Sequence, residues 1–221
     1  MTAPTRTDDC TPQARVTKSL LGYGVLAGVV YLLGSVVHGA LRPGFDFAHD
    51  SWSLLSLGPH GWVHIAVFVV TGLMVGAAGL GFRRHQRGLV GPALIVYGVL
   101  LIIAGAAVPD APGGGFTAHG LLHLAAGGLG FVAFAVAAFS VARHAARTGA
   151  RGWAAFSVAA GVLLLLGFVA VASGSTAAPA VLGFTATVVL SWVWLALASV
   201  RAYREAHVRG RVPVAEGAAR V

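Results

Sequence analysis

The chain has 221 residues, 57% of them hydrophobic and 10% charged, with a mean hydropathy of +0.82. Soluble domains carry roughly 25% charged residues, so the composition excludes an ordinary soluble fold and points to a membrane protein. The net charge of +8 does not call for nucleic acid, because the cations sit at the ends of apolar stretches, where they set topology and meet lipid headgroups.

Residues 1–18 are polar and contain Arg6, Arg15 and Lys18. They read as a short tail ahead of a full-length apolar run, which is the pattern of an uncleaved signal anchor. Cys10 is the single cysteine, so an internal disulfide is excluded.

Six apolar stretches follow, at about residues 19–40, 61–82, 89–108, 118–142, 153–173 and 180–200. Each is close to the ~20 residues that span a bilayer core. A bilayer admits only helices or closed barrels, and continuous apolarity excludes the alternation of barrel strands. The expectation is an all-α bundle of six transmembrane helices, with a polar tail over 1–18 and a basic tail over 201–221. Pro59 and Pro179 fall where helices two and six begin, and a missing N–H costs least in a first turn. Trp52, Trp62, Trp153 and Tyr203 fall near the expected interfaces.

Glycine spacing predicts helix contacts. Gly24 and Gly28 are four apart in helix one, as are Gly72 and Gly76 in helix two. Gly91, Gly98 and Gly105 recur every seven residues in helix three. Small residues let helices approach closely in lipid.

Charge predicts orientation. Arg83, Arg84 and Arg87 follow helix two; Arg143, Arg147 and Arg151 separate helices four and five; Arg201, Arg204, Arg209, Arg211 and Arg220 fill the end. Only Arg42 falls on the opposite side. The positive-inside rule then puts both termini in the cytoplasm, in a multi-pass protein of the cell membrane.

Two five-residue patterns stand out: His60-Gly61-Trp62-Val63-His64 and His119-Gly120-Leu121-Leu122-His123. Each opens an apolar stretch running inward and follows a loop rich in Gly, Pro and Asp. His38, His49, Asp46, Asp50 and Asp110 belong to the same side, whereas His85, His144 and His207 fall among the cytoplasmic arginines. Residues four apart share a helix face, so each pattern offers a histidine pair. The positive end of a helix favours neutral imidazole, the form that binds metal. Zinc bound by histidine and carboxylate, with one position left for water, yields a nucleophile near neutral pH.

The site expected on this basis holds a divalent metal such as zinc through His60, His64, His119 and His123, with Asp46 or Asp110 as base or fourth ligand. It acts on a lipid or another amphiphile. His64 and His123 rank first, being one turn inside their helices; His38 follows. Three other readings stay open. The cluster could serve a transporter or a protein that binds a solute or cation, or ligate haem through His64 and His123, or consist of histidines that bond loop carbonyls. HxxxH lacks the glutamate of the zinc-protease HExxH, so the pattern does not choose among them. Ser51, Ser53 and Ser56 read as turn and cap residues. Thr185, Thr187 and Ser191 read as bonding back to their own helix.

The stretch from Phe45 to Trp62, with its core Ser53-Leu54-Leu55-Ser56-Leu57-Gly58-Pro59-His60-Gly61-Trp62, resembles the signature of the DUF998 family of integral membrane proteins. Pro109-Asp110-Ala111-Pro112 followed by His123 is similar to that family as well, except that Ala111 stands between Asp and Pro. The resemblance covers roughly residues 20–200. It implies a six-helix membrane protein in which the loops of this side matter, and it implies no reaction.

Overall fold

The structure is a computed structural model that describes residues 11–86 and 88–206. The expectations about Arg6, Cys10, Arg87, His207, Arg209, Arg211 and Arg220 lie outside the described residues. Six helices make up the fold: α1 (Pro12–Leu41), α2 (Gly61–His85), α3 (Val90–Ala106), α4 (Ala118–Arg147), α5 (Arg151–Ala172) and α6 (Ala178–Glu205). A short 3-10 helix, Trp52–Ser56, lies in the long α1–α2 connection. Among the described residues there is no strand. Five helices are long and apolar enough to cross a membrane, and α3 is apolar but shorter. Its 17 residues rise about 25 Å.

Helix ends depart from the expected bounds where capping outweighs polarity. α1 begins at Pro12 because the Thr11 hydroxyl accepts the Ala14 amide at 3.2 Å and proline suits the first turn. Residues 12–18, expected in the tail, are therefore helical. Pro179 lies in the first turn of α6, whereas Pro59 precedes the α2 cap residue, His60. α4 continues to Arg147 and stops at Gly149, whose φ of +80° suits glycine. Here the Ala150 amide bonds the Ala145 carbonyl (2.8 Å) and the Gly149 amide bonds that of Ala146 (3.3 Å), a Schellman closure.

Each helix packs on its neighbours in sequence, and α6 packs back on α1, so the six helices close a ring. Glycine sets the closest approaches. A Cβ on Gly72 would come 2.6 Å from the Gly98 carbonyl oxygen, one on Gly79 2.8 Å from that of Gly91, and one on Gly105 2.5 Å from Phe68 Cβ. The seven-residue glycine row of α3 thus faces α2. On α1, Gly24 meets Ser199 and Gly28 meets Trp192, both on α6.

One end of the ring gathers the start of α1 and the ends of α2 and α6. Arg84 Nε donates to Thr17 Oγ1 (3.2 Å), His85 Nε2 lies 3.4 Å from Glu205 Oε2, and Lys18 Nζ sits 5.3 Å from the Tyr203 ring centroid. Arg201 stacks 4.7 Å from the Trp153 ring centroid at the start of α5. At the other end, called here the loop end, Arg42 donates to the Leu54 carbonyl (2.7 Å) and ties the long connection to α1. Mid-ring, Leu94, Phe134, Leu164, Trp194 and Leu195 are buried. Trp194 Nε1 donates to Ser157 Oγ at 2.9 Å, joining α6 to α5. The hydroxyls of Thr187 and Ser191 bond the Phe184 and Val188 carbonyls of their own helix, both at 2.7 Å.

Candidate functional site

The two His-Gly patterns are built differently. His60 caps α2 and is exposed; His64, one turn on, is fully buried. The His64 ring lies 6.1 Å from His38, 6.2 Å from Tyr31 and 5.1 Å from Phe68, meeting the last edge-on. His119 is the second residue of α4 and is exposed. His123 is half-buried, with its ring 6.2 Å from Phe68. Its Nδ1 lies 2.7 Å from the Ala104 carbonyl oxygen and 2.9 Å from that of Ala107. Both oxygens are acceptors, so Nδ1 carries the proton and donates to the last carbonyls of α3. In the neutral ring, Nε2 is left with its lone pair.

The structure therefore draws His64 toward His38 and Phe68, with His123 across Phe68, while His60 and His119 stay at the surface. The i,i+4 pairing does not hold the four expected ligands together. His60 is a cap, with φ −103° and ψ 9°, so the helical periodicity that would align it with His64 has not begun. Among the described residues, no three or more His, Cys, Asp or Glu side chains form a group that could hold a metal ion.

Both glycines of the patterns are required by close contact. A Cβ on Gly61 would collide with the carbonyl of Ser56, and one on Gly120 with the Asp110 carboxylate. The partners differ, a backbone in one case and an acid in the other.

The two aspartates expected as bases also differ. Asp46 Oδ1 accepts the Ala48 amide (2.8 Å) and its Oδ2 lies 2.7 Å from His49 Nδ1. These bonds hold its carboxyl below the usual carboxylate range and fold the 46–50 turn. Asp110 Oδ1 accepts the Thr117 hydroxyl (2.6 Å) and Oδ2 the Thr117 amide (3.1 Å), while Thr117 Oγ1 accepts the Gly120 amide (3.0 Å). The Thr117 hydroxyl, then its amide, hold the Asp110 carboxyl below the usual range. The bonds lock the loop onto the start of α4, where a negative charge suits the helix dipole.

Asp110 and His123 line a cavity of about 400 Å³ that enters the ring from the loop end. Its walls are aromatic. Tyr31 stacks 5.0 Å from Trp192 and 6.0 Å from Trp52, Tyr97 lies 6.2 Å from Trp192, and Phe131 lies 5.3 Å from Phe168 and 5.8 Å from Phe184. The rim comes from His49, Ser51, Ser53, the Pro109–Gly114 segment, Phe116 and the Ser173–Thr176 segment. Phe116 is 83% exposed. Asp46, His60, His64 and His119 are not among the lining residues.

The aromatic wall was not part of the sequence expectation. Trp52, expected near an interface, is buried against Tyr31. The α5–α6 loop, which has no histidine or acid, is part of the rim. The available signal was the placement of Phe131, Phe168 and Phe184 in the loop-end halves of three helices, with Tyr97 at the middle of a fourth.

A family model described as "Protein of unknown function (DUF998)" matches residues 25–201. The chain belongs to the DUF998 family. The match takes in all six helices except the first turns of α1 and the last turn of α6, so it covers the cavity and the loops around it. The resemblance carried by the Phe45–Trp62 stretch and by Asp110 is borne out at the level of the family. No curated protein and no solved structure matches the chain.

Proposed function

We propose that this DUF998 protein is a multi-pass membrane protein that binds an amphiphile in the loop-end cavity. The polar group of the ligand lies beside Asp110 and His123, and its apolar part lies among the rings of Tyr97, Phe131, Phe168, Phe184 and Trp192. The observation that carries this reading is a cavity of about 400 Å³ with aromatic walls and polar groups gathered at one side. Ligand sites of roughly 300–1,000 Å³ are built in this way, mostly apolar with a few polar groups that orient the ligand. Closure below the cavity by Leu94, Phe134, Trp194 and Leu195 favours a binding pocket over a channel.

On this reading the opening lies on the outer face of the cell membrane and both termini are cytoplasmic; in support, the described cations other than Arg42 gather at the opposite end, the inner side under the positive-inside rule. The reading routes nothing through a metal. Of the four histidines expected as ligands, only His123 lines the cavity. A haem between His64 and His123 finds Phe68 in edge-on contact with both rings.

The test is photolabelling. An alkyl amphiphile with a terminal diazirine is irradiated with the purified protein in lipid nanodiscs, and adducts are mapped by mass spectrometry. The reading expects adducts at Leu101, Phe131 and Phe184. Adducts confined to lipid-facing positions such as Leu33, Leu73, Leu129 and Leu166 would overturn it.

A further inference from the structure

The chemistry of the lining narrows the ligand class. We infer that the cavity selects a lipophilic organic cation; this rests on the amphiphile reading above and specifies the charge of the polar group.

The first observation is an asymmetry of charge. Among the described residues, no lysine or arginine lines the cavity, whereas the Asp110 carboxylate does. Arg42, the one described arginine at that end, is not a lining residue and donates instead to the Leu54 carbonyl. His49 lines the rim with its Nδ1 against Asp46, so any charge on it is met by that carboxylate. An anionic headgroup entering here finds no cationic side chain to replace its lost hydration.

Helix dipoles do not supply the missing positive charge. α2, α4 and α6 start at the loop end, but α1, α3 and α5 finish there. The partial charges, about +0.5 and −0.5 per helix end, cancel around the ring. α4 is moreover capped by Thr117, whose hydroxyl accepts the Gly120 amide. Asp110 remains as the one carboxylate among the described lining residues, with no lysine or arginine opposite it.

The walls add a second, independent preference. Aromatic faces are negative at the centre and attract cations, most strongly where water is excluded. Tyr31, Trp52 and Trp192 form one stacked group, and Phe131, Phe168 and Phe184 form another, with centroids 5.3–6.4 Å apart. Tyr97, 6.5 Å from Phe131 and 6.2 Å from Trp192, joins the two. Such a box suits a phosphonium or a substituted ammonium, whose charge is spread over an apolar surface. In addition, the lone pair on His123 Nε2 can accept an N–H from a protonated amine.

The probes are radiolabelled tetraphenylphosphonium and the isosteric anion tetraphenylborate. Each is equilibrated with the protein in phosphatidylcholine nanodiscs, with protein-free nanodiscs subtracted. The expected result is saturable phosphonium binding, displaced by dodecyltrimethylammonium, at least about tenfold tighter than borate binding. Asp110→Asn keeps one of the two acceptors that Thr117 uses and lowers phosphonium affinity several-fold. Phe184→Leu, which leaves the loop untouched, also lowers it. Equal or tighter borate binding would overturn the inference, as would a phosphonium affinity unchanged in both variants. If neither ion binds saturably while the diazirine amphiphile still labels Phe131 and Phe184, charge selection fails and the amphiphile reading stands. If labelling fails too, both fall.

Discussion

The Nδ1 of His123 lies 2.7 Å from the carbonyl oxygen of Ala104, which pins α4 to the end of α3 at the wall of the cavity. The same nitrogen reaches the Ala107 carbonyl. Without it, two acceptors at the end of α3 would lose their donor. His123→Ala is expected to lower stability by about 1–3 kcal/mol, the range for a buried polar group left unpaired. The check is thermal unfolding of the purified protein in detergent. An unchanged midpoint would show that α3 ends without this bond.

The Asp110–Thr117 contact predicts a pH dependence. The folded-state value of Asp110 is lowered from its ordinary 3.8. Its contribution is therefore fully present above that ordinary value and is lost as pH falls through the lower, folded one. Amide exchange in the first turn of α4, at Ala118–Leu121, should accelerate as pH is lowered below about 3.8, once the intrinsic pH dependence of exchange is removed. In Asp110→Asn this acceleration should vanish. Thr117→Ala removes both the cap hydroxyl and its bond to Asp110, so its cost, about 1 kcal/mol for the cap alone, should be larger where Asp110 is ionised than where it is protonated.

Glycine substitutions separate contact from propensity. A methyl at Gly76 meets nothing within 4 Å, so Gly76→Ala should be neutral or stabilise by about 0.5–1 kcal/mol. Gly61→Ala drives a Cβ into the Ser56 backbone, and Gly72→Ala drives one toward the Gly98 carbonyl. Each should cost about 1–3 kcal/mol. Gly120→Ala should displace the Asp110 carboxylate and reproduce the pH-insensitive exchange of Asp110→Asn. Chemical and thermal denaturation of the four variants against wild type tests the order.

Orientation has a direct assay. In a Cys10→Ser background, Ser175→Cys, in the α5–α6 loop, should react with a membrane-impermeant maleimide on intact cells. The wild-type chain, whose single cysteine is Cys10, should react only after the membrane is opened. The opposite pattern would reverse the assigned topology.

Much of the fold was legible because bilayer physics leaves few choices. Length and apolarity placed six helices, and the glycine row of α3 announced its contact with α2. Helix ends were less legible where a cap, such as Thr11, carried a helix into polar sequence. The site was legible only in part. His64 and His123 stood out because each lies one turn inside an apolar helix, and both are buried or half-buried next to Phe68. Their partners at i−4 looked equivalent in sequence, but His60 is a cap and His119 faces out, a difference that backbone direction at a helix start decides. The closure of α6 onto α1 sets which rings meet. That depends on packing between segments more than 150 residues apart, and no local pattern records it; the aromatic cavity was hidden for that reason.

If the loop-end cavity holds an amphiphile, filling the cavity must abolish binding. Gly127 lines it, and a Cβ there would meet only Phe168, at 4.0 Å, so Gly127→Leu should fill the cavity while the ring still closes. The decisive measurement is native mass spectrometry of wild type and Gly127→Leu, each exchanged into the same mild detergent and titrated with one diazirine-free alkyl amphiphile. The expected result is a saturable one-to-one adduct on the wild type that is absent from a folded Gly127→Leu. The same adduct at the same occupancy on both proteins would contradict it.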